Sequence, residues 1–472
     1  MQSGSACATN TGSAPSPLSP REWQQQQEDE GAISAHSARC DGVRKAIMMP
    51  LDGPFIGRTS WLLRQFRKQI WVRAAMFSLA AVATAVLAAI AEPLIPYDFN
   101  LTLAAGSVGN ILDILASSML AVTTFSLSVM VSAYSAAAAN VTPRSTKLLL
   151  SDSVAQNTLA TFIGSFLFSI VGIIGLAAGF YSDKGRIILF GATLAVLLII
   201  AGTLLRWIEQ LGKFGRVGDT IKRVEEATTA PAGQWGNRPR LGARPWTMIP
   251  YGASEVMCPD VGYVRHIDMA ALAEIAADAS VTIHIDVIAG SFVHAARPVA
   301  YVSPPAHDDC AARIAKCITI GADREYDQDP RFGLIVLSEI ASRALSPAVN
   351  DPGTAIEVIG AGLRVMLAYG DARSEAQEPC FEGLHAHDLA ARDLFDDFFN
   401  PIARDGAALV EVQMRLQFAL EALARNDPAL YEDCARSHAA LALERAGKAG
   451  MFVHDLDRLK TRAAWAAAPP EE

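Results

Sequence analysis

Between Asn110 and Ser135 the sequence NILDILASSMLAVTTFSLSVMVSAYS carries eight serines and threonines in an otherwise apolar stretch. Hydroxyls in such a setting can replace part of the hydration shell of a small ion or polar solute, or they can bond across a close helix–helix contact. Their spacing is ordered: at about 100° per residue, Asn110, Ser117, Thr124, Ser128, Ser132 and Ser135 fall within an arc of about 80°, with Asp113 beside it. Leu115, Leu120, Phe125 and Val129 lie mostly off that arc. About twenty helical residues cross a bilayer, so the stretch is long enough to span one. No Lys, Arg, Glu or His sits well inside it or any other apolar stretch, and Asp113 is near an end. A strongly charged path is therefore not indicated.

A second set gathers acids and arginines: Arg324, Asp329, Glu339, Arg343, Asn350 and Asp351, with Asp327. Without a nucleophile, an ordered histidine or a glycine-rich phosphate loop they make no recognisable catalytic set. Helix capping with interhelix salt bridging is one account of them and ligand or ion binding the other. Neither a metal nor a cofactor is expected. Cys7, Cys40, Cys258, Cys310, Cys317, Cys380 and Cys434 are scattered without a CxxC pair, which suits thiols in a reducing compartment. His284 and His294 have no third ligand spaced to help them, and His385 to His387 reads as a surface loop.

These groups need a membrane and a soluble part to position them. A hydrophobic fraction of 51%, only 19% charged residues and a mean hydropathy of +0.24 describe an integral membrane protein with a soluble portion. The net charge of −9 and the lack of a basic block with interleaved aromatics argue against nucleic acid as a partner.

In chain order, residues 1–57 read as a disordered extension, with Met48 or Met49 as an alternative start. Residues 58–225 read as a four-helix transmembrane domain with spans at about 72–94, 110–137, 157–181 and 187–207. Basic residues precede the first span and follow the second and fourth, which places both termini in the cytoplasm and leaves Lys184 and Arg186 outside. The third span has its own stripe: Thr158, Thr161, Gly164, Ser165, Gly172, Gly175 and Gly179 share one side, the pattern that lets membrane helices approach closely. The simplest reading packs the serine face of the second span on this glycine face. A path lined by the hydroxyls is the alternative.

Beyond a linker at 226–249, residues 250–305 read as a small β-rich domain. Strands are expected near Gly262–Ile267, at Val281–Val287 and at Pro298–Val302, in a barrel-like unit, with a helix from Met269 to Asp278. GSFVHAARPVAYV is similar to strands of biotinyl or lipoyl-type barrels but lacks a lysine at the turn, so no covalent cofactor is implied. Residues 306–460 read as a helical cytoplasmic domain and 461–472 as a loose tail. Asp329-Pro330 and Asp351-Pro352 each place a capping carboxylate before a first-turn proline, and Glu339 with Arg343 is spaced for an i,i+4 pair. Pro401 is expected to break the helical stretch from Leu394 to Ala424.

Arg324, Gln328-Asp329, Phe332-Gly333, Leu337, Glu339-Ile340-Ala341, Arg343 to Pro347, Asn350-Asp351-Pro352 and Thr354-Ala355 resemble the signature of the bacterial membrane proteins labelled domain of unknown function 2254. The stretch from Ser117 through Pro143-Arg144 to Gly164 is similar to that family's second and third spans. The likeness runs from about residue 58 to 425, with Tyr326 as a departure from the family's pattern. It implies a multi-pass protein with a cytoplasmic domain and brings no established activity.

Taken together, these features predict a multi-pass bacterial inner-membrane protein, best read as a homo-oligomeric channel or transporter-like protein with a regulatory cytoplasmic domain. The alternative is a membrane-anchored scaffold or sensor whose cytoplasmic domain binds a protein or small molecule. No enzyme chemistry is indicated.

Overall fold

Apolar runs closed off by capping residues give the amino-terminal half its helices. The computed structural model describes residues 70–90, 102–150, 152–212, 215–305 and 307–467, all within one compact unit, 56–472. The extension expected at 1–57, most of the basic stretch before the first span, the loop of Glu92 to Asp98 and the end of the tail lie outside the described residues.

Helix α1 covers Ile70–Ile90, α2 Thr102–Asn140, the short α3 Thr146–Leu150, α4 Ser153–Ala177 and α5 Asp183–Leu211. Asp152 caps α4, accepting from the Ala155 amide at 2.8 Å, and Ser182 caps α5, accepting from Gly185. Gly179 adopts a φ of 72°, which lets the Phe180 amide return to the Gly175 carbonyl at 3.0 Å and ends α4. Among the described residues, three stretches are long and apolar enough to cross a membrane: Ser107–Ala136, Ser153–Ala177 and Lys184–Leu211. The apolar run within α1, Ala74–Thr84, is shorter.

Two clusters hold these helices together. Leu115, Met119 and Met130 of α2 meet Ala155, Leu159 and Phe162 of α4 and Ile200 and Trp207 of α5. Val108 and Leu112 meet Phe168, Tyr181 and Leu189. Helix α4 is thereby enclosed, while Leu120 and Phe125 on α2 and Leu198 and Leu205 on α5 are exposed, as lipid-facing side chains are.

Helix α6, Val217–Asn237, continues through Pro231. Residues 226–249, read from sequence as a linker, thus hold half a helix, a 3-10 turn and the strand β1, Ala243–Pro245. The remaining strands are β2 Ser254–Met257, β3 Gly262–Ile267, β4 Thr282–Ile285, β5 Phe292–Val293, β6 Pro298–Ser303, β7 Ile318–Gly321 and β8 Phe381–Ala386. They form two open sheets, ordered β1-β8-β4-β6-β2 and β5-β3-β7, and no closed barrel forms among the described residues. The expected barrel fails because its strands divide between the sheets. β8, coming from far along the chain, pairs parallel with β4 and takes the place a local strand would have filled.

The helices among and after the strands are α7 Met269–Ala279, α8 Asp308–Cys317, α9 Pro330–Ala344, α10 Pro352–Ser374, α11 Ala391–Asp405, α12 Val410–Asn426, α13 Pro428–Lys448 and α14 Val453–Ala463. Pro401 lies inside α11 instead of breaking it, and the chain turns at Gly406–Leu409. Phe395, Phe398, Phe399, Tyr369 and Tyr431 fill the core of this helical part, where Gly362 leaves room for the Phe398 ring.

Candidate functional site

On α2 the polar stripe stands opposite the packed face. Val108, Leu112, Leu115, Met119, Ser126 and Met130 are buried, whereas Asn110, Asp113, Ser117, Thr124, Ser128, Ser132 and Ser135 are all exposed. The Ser117 hydroxyl donates to the carbonyls of Asp113 (2.9 Å) and Ile114 (3.1 Å), and that of Thr124 to Leu120 (3.0 Å) and Ala121 (2.9 Å). Exposed Ile114, Leu120, Phe125 and Val131 flank the stripe on both sides.

The hydroxyls therefore do not meet the glycine face of α4, which corrects the hairpin expectation. A Cβ on Gly164 would lie 3.2 Å from the Phe77 carbonyl oxygen of α1, and one on Gly172 would lie 2.9 Å from Leu112 Cδ1. On Gly175 it would lie 2.5 Å from Tyr181 Cε2. The small residues thus admit the α1 backbone and bulky apolar groups, not serines. Thr161 and Ser165 are buried on α4, and Thr161 donates to its own helix at the Asn157 carbonyl, 2.8 Å away. Gly179 is exposed, with nothing near a Cβ, and serves the turn after α4.

The acids and arginines of the soluble half do not form one cluster. Arg324 grips Asp329 through Nε (2.7 Å) and Nη2 (2.9 Å), while Asp329 Oδ1 also accepts from the Phe332 amide at 3.0 Å, capping α9. Only 2% of the Asp329 surface is exposed, and burial pushes its carboxyl up against the pull of Arg324. Asp351 caps α10, accepting from the Thr354 amide at 3.1 Å and the Thr354 hydroxyl at 2.6 Å, and these bonds hold its carboxyl below the usual range. Asn350 takes a φ of 49° just before that cap, and Arg343 lies in the last turn of α9.

Glu339 reaches away from these groups to the loop after α2. Its carboxylate accepts from Thr142 Oγ1 at 3.0 Å and from Arg144 Nη1. Lys147 Nζ binds Asp323 in the same region, and Tyr326, the departure from the family pattern, is buried with its hydroxyl 3.5 Å from the Arg144 carbonyl. At the start of α4, Asp152 receives Arg223 of α6 at 2.5 Å and Gln210 of α5 at 2.8 Å. The ends of α2, α4 and α5 are thus fastened to the soluble half by charged and polar contacts. In sequence this segment showed only as basic residues following the second span, since the partners of Thr142, Arg144, Lys147 and Asp152 lie far along the chain.

A further group was missed. His385 and Ala386 belong to β8, not to a surface loop, and only His387, 41% exposed, follows the strand; His385 is in register with His284 on β4, and the two imidazoles stack at 4.8 Å and 11°. The alternation of His385, Ala386 and His387 carried a strand signal that the polar surroundings hid. His294 stays apart, its Nδ1 accepting from the Ala296 amide.

Residues 67–422 match a family described as predicted membrane protein, DUF2254, a match that takes in every contact just described. The chain belongs to the DUF2254 family. This DUF2254 chain is also similar to uncharacterized proteins of Mycobacterium tuberculosis and Mycobacterium bovis, each 26% identical over 266 residues. Those residues are 54% of this chain and 51% of each relative, so the chain spans about half the length of the relatives it matches. No solved structure matches it.

Proposed function

We propose that this protein is a homo-oligomeric channel or transporter-like protein of the bacterial inner membrane, in which the exposed faces of α2 from several copies line a shared path. One observation carries the reading. The hydroxyl stripe from Ser117 to Ser135 points straight away from its own bundle, between exposed apolar flanks that suit lipid or a second copy. Because the hydroxyls of Ser117 and Thr124 already bond within α2, their oxygens keep acceptor capacity for a small cation or a neutral polar solute. In this reading helix α1 serves as a fourth span, and the basic residues around Arg144, Lys147, Arg206 and Arg216 favour the cytoplasmic side for both termini and the soluble half.

The test pairs assembly with transport. Ser128→Cys should cross-link into dimers in membranes while the native cysteines alone do not. Purified protein in proteoliposomes should pass a small ion or polar solute, and Thr124→Leu with Ser128→Leu should abolish that flux while the fold persists. No cross-link, or no flux above empty vesicles for any common ion, defeats the proposal. The alternative, a membrane-anchored scaffold or sensor, draws on the same geometry differently: self-satisfied hydroxyls can pack against neighbouring copies without conducting. Cross-linking without flux favours it.

A further inference from the structure

The five-stranded sheet has two unlike faces. Ile283, Ile285, Val256, Ala300, Val302 and Leu384 are buried on one, where α7 and α8 pack. On the other, register places Arg244, His385, His284, Tyr301 and Glu255 in one row across all five strands, β1-β8-β4-β6-β2. β1 and β2 are opposite edges of this sheet, so residues 246–253 between them must run its full width. That strap begins on the histidines. The Trp246 indole stacks on His387 at 4.0 Å and meets His284 edge-on at 5.8 Å, and Thr247 Oγ1 lies 3.1 Å from His284 Nε2.

Hydrogen bonds fix how the rings are used. A carbonyl can only accept, so His385 Nδ1 donates to Pro245 O at 2.7 Å, the residue just before the strap. His387 Nε2 donates to Asp286 Oδ1 at 3.1 Å, and Arg297 stands 3.7 Å from the same carboxylate. His284 is 98% buried by its 2% exposure, yet its Nδ1 has no hydrogen-bond partner. Burial first and His385 second hold this imidazole below the usual histidine range. The nearly parallel rings do not aim their unused nitrogens at a common point, and among the described residues no three His, Cys, Asp or Glu side chains are placed to hold a metal ion. What the pair is built to take is a proton.

Neutral imidazoles stack, whereas two charged ones at this separation repel, the more so because His284 is buried while His385 is half-buried. The charged groups around the stack do not cancel that repulsion. Arg244 flanks His385 on β1 with Glu382 3.9 Å from its guanidinium, Asp286 is already engaged by His387 and Arg297, and Glu255 lies beyond Tyr301 at the far edge. We propose that the His284–His385 stack is a proton-operated latch on the strap of residues 246–253: with the rings neutral the strap lies closed over the polar face, and protonation of both rings releases it. Release frees Trp246 and Thr247 and uncovers His284, the buried member of a row whose ends, Arg244 and Glu255, are exposed already. The latch is independent of whether α2 lines a path.

Hydroxyl-radical footprinting of the full-length protein in nanodiscs tests this. Oxidation of Trp246 is read by mass spectrometry against Tyr251, which is fully exposed. From about pH 8 to about pH 4.5, an acid end carried below the ordinary imidazole range because His284 is held beneath it, Trp246 oxidation should rise severalfold. His385→Phe keeps a ring in the stack but cannot charge; it also loses the bond to the Pro245 carbonyl, so its Trp246 oxidation at about pH 8 is its own reference and should not rise with acid. His385→Arg carries a permanent charge and should expose Trp246 even at the higher pH. Equal protection of wild-type Trp246 at both ends of the range overturns the latch, as does a His385→Phe protein that opens with acid as the wild type does. Should either variant fail to fold, the wild-type series alone still decides.

Discussion

Glu339 lies on the signature helix α9, yet its carboxylate is committed to Arg144 in the loop that follows α2. Thr142 donates to the other oxygen at 3.0 Å, so one side chain of the soluble half holds two residues at the end of a membrane helix. Arg144 is 58% exposed, which limits the pair to about 1 kcal/mol. A double-mutant cycle of Glu339→Gln and Arg144→Gln, read by thermal unfolding in detergent, should return a coupling of that order. Additive effects would mean that the contact does not fasten the loop.

The neighbouring pair of Lys147 and Asp323 predicts a dependence on pH. Lys147, by its hydrogen bond, holds the Asp323 carboxyl below the usual carboxylate range. A carboxyl depressed in the folded state contributes stability above its unfolded value and loses it as pH falls through the folded one. Acid should therefore loosen the loop at 141–152 below about pH 4. Protease cleavage in that loop should increase in acid for the wild type, whereas Lys147→Met should start looser and respond less. Both residues are about half exposed, so added salt should weaken the effect.

Asp329 and Asp351 occupy matching cap positions but should differ sharply on replacement. Asp351→Ala loses an exposed cap and should cost about 1 kcal/mol. Asp329→Ala also strands Arg324, whose side chain is only 17% exposed, and should cost roughly 3–5 kcal/mol. Denaturant unfolding of the two variants checks the ratio, and equal losses would show that the buried fork contributes little beyond the cap.

What could be read in the sequence was what neighbouring residues decide. The Asp-Pro pairs announce α9 and α10 because cap and first turn are contiguous, and the strand at Gly262–Ile267 shows in its local pattern. Partnership across the chain was hidden. Nothing near Ser117 or Gly164 tells whether those two faces meet, and the glycines instead admit Phe77 and Leu112. The histidine stack depends on a strand about a hundred residues later pairing parallel with β4, a relation no period in either segment encodes.

Gly333 shows the same division, since the Phe332-Gly333 motif is plain in sequence while its reason lies on another helix. A Cβ at 333 would fall 1.8 Å from Thr228 Oγ1 and 2.6 Å from Thr228 Cβ, on the buried side of α6. Helix α9 can therefore press on α6 only with a hydrogen at this position. Gly333→Ala gains about 1 kcal/mol of helix propensity but must part the two helices, for a net loss of about 1–3 kcal/mol. Thr228→Ala removes the two closest atoms, Oγ1 and Cγ2, and leaves only Cβ. In that background Gly333→Ala should cost at least about 1 kcal/mol less, and in Thr228→Gly the clash should vanish. Urea unfolding of the six proteins, with Gly or Ala at 333 and Thr, Ala or Gly at 228, measures the coupling. A Gly333→Ala loss that is the same whatever residue stands at 228 would mean that the glycine is needed for its backbone and not for this contact.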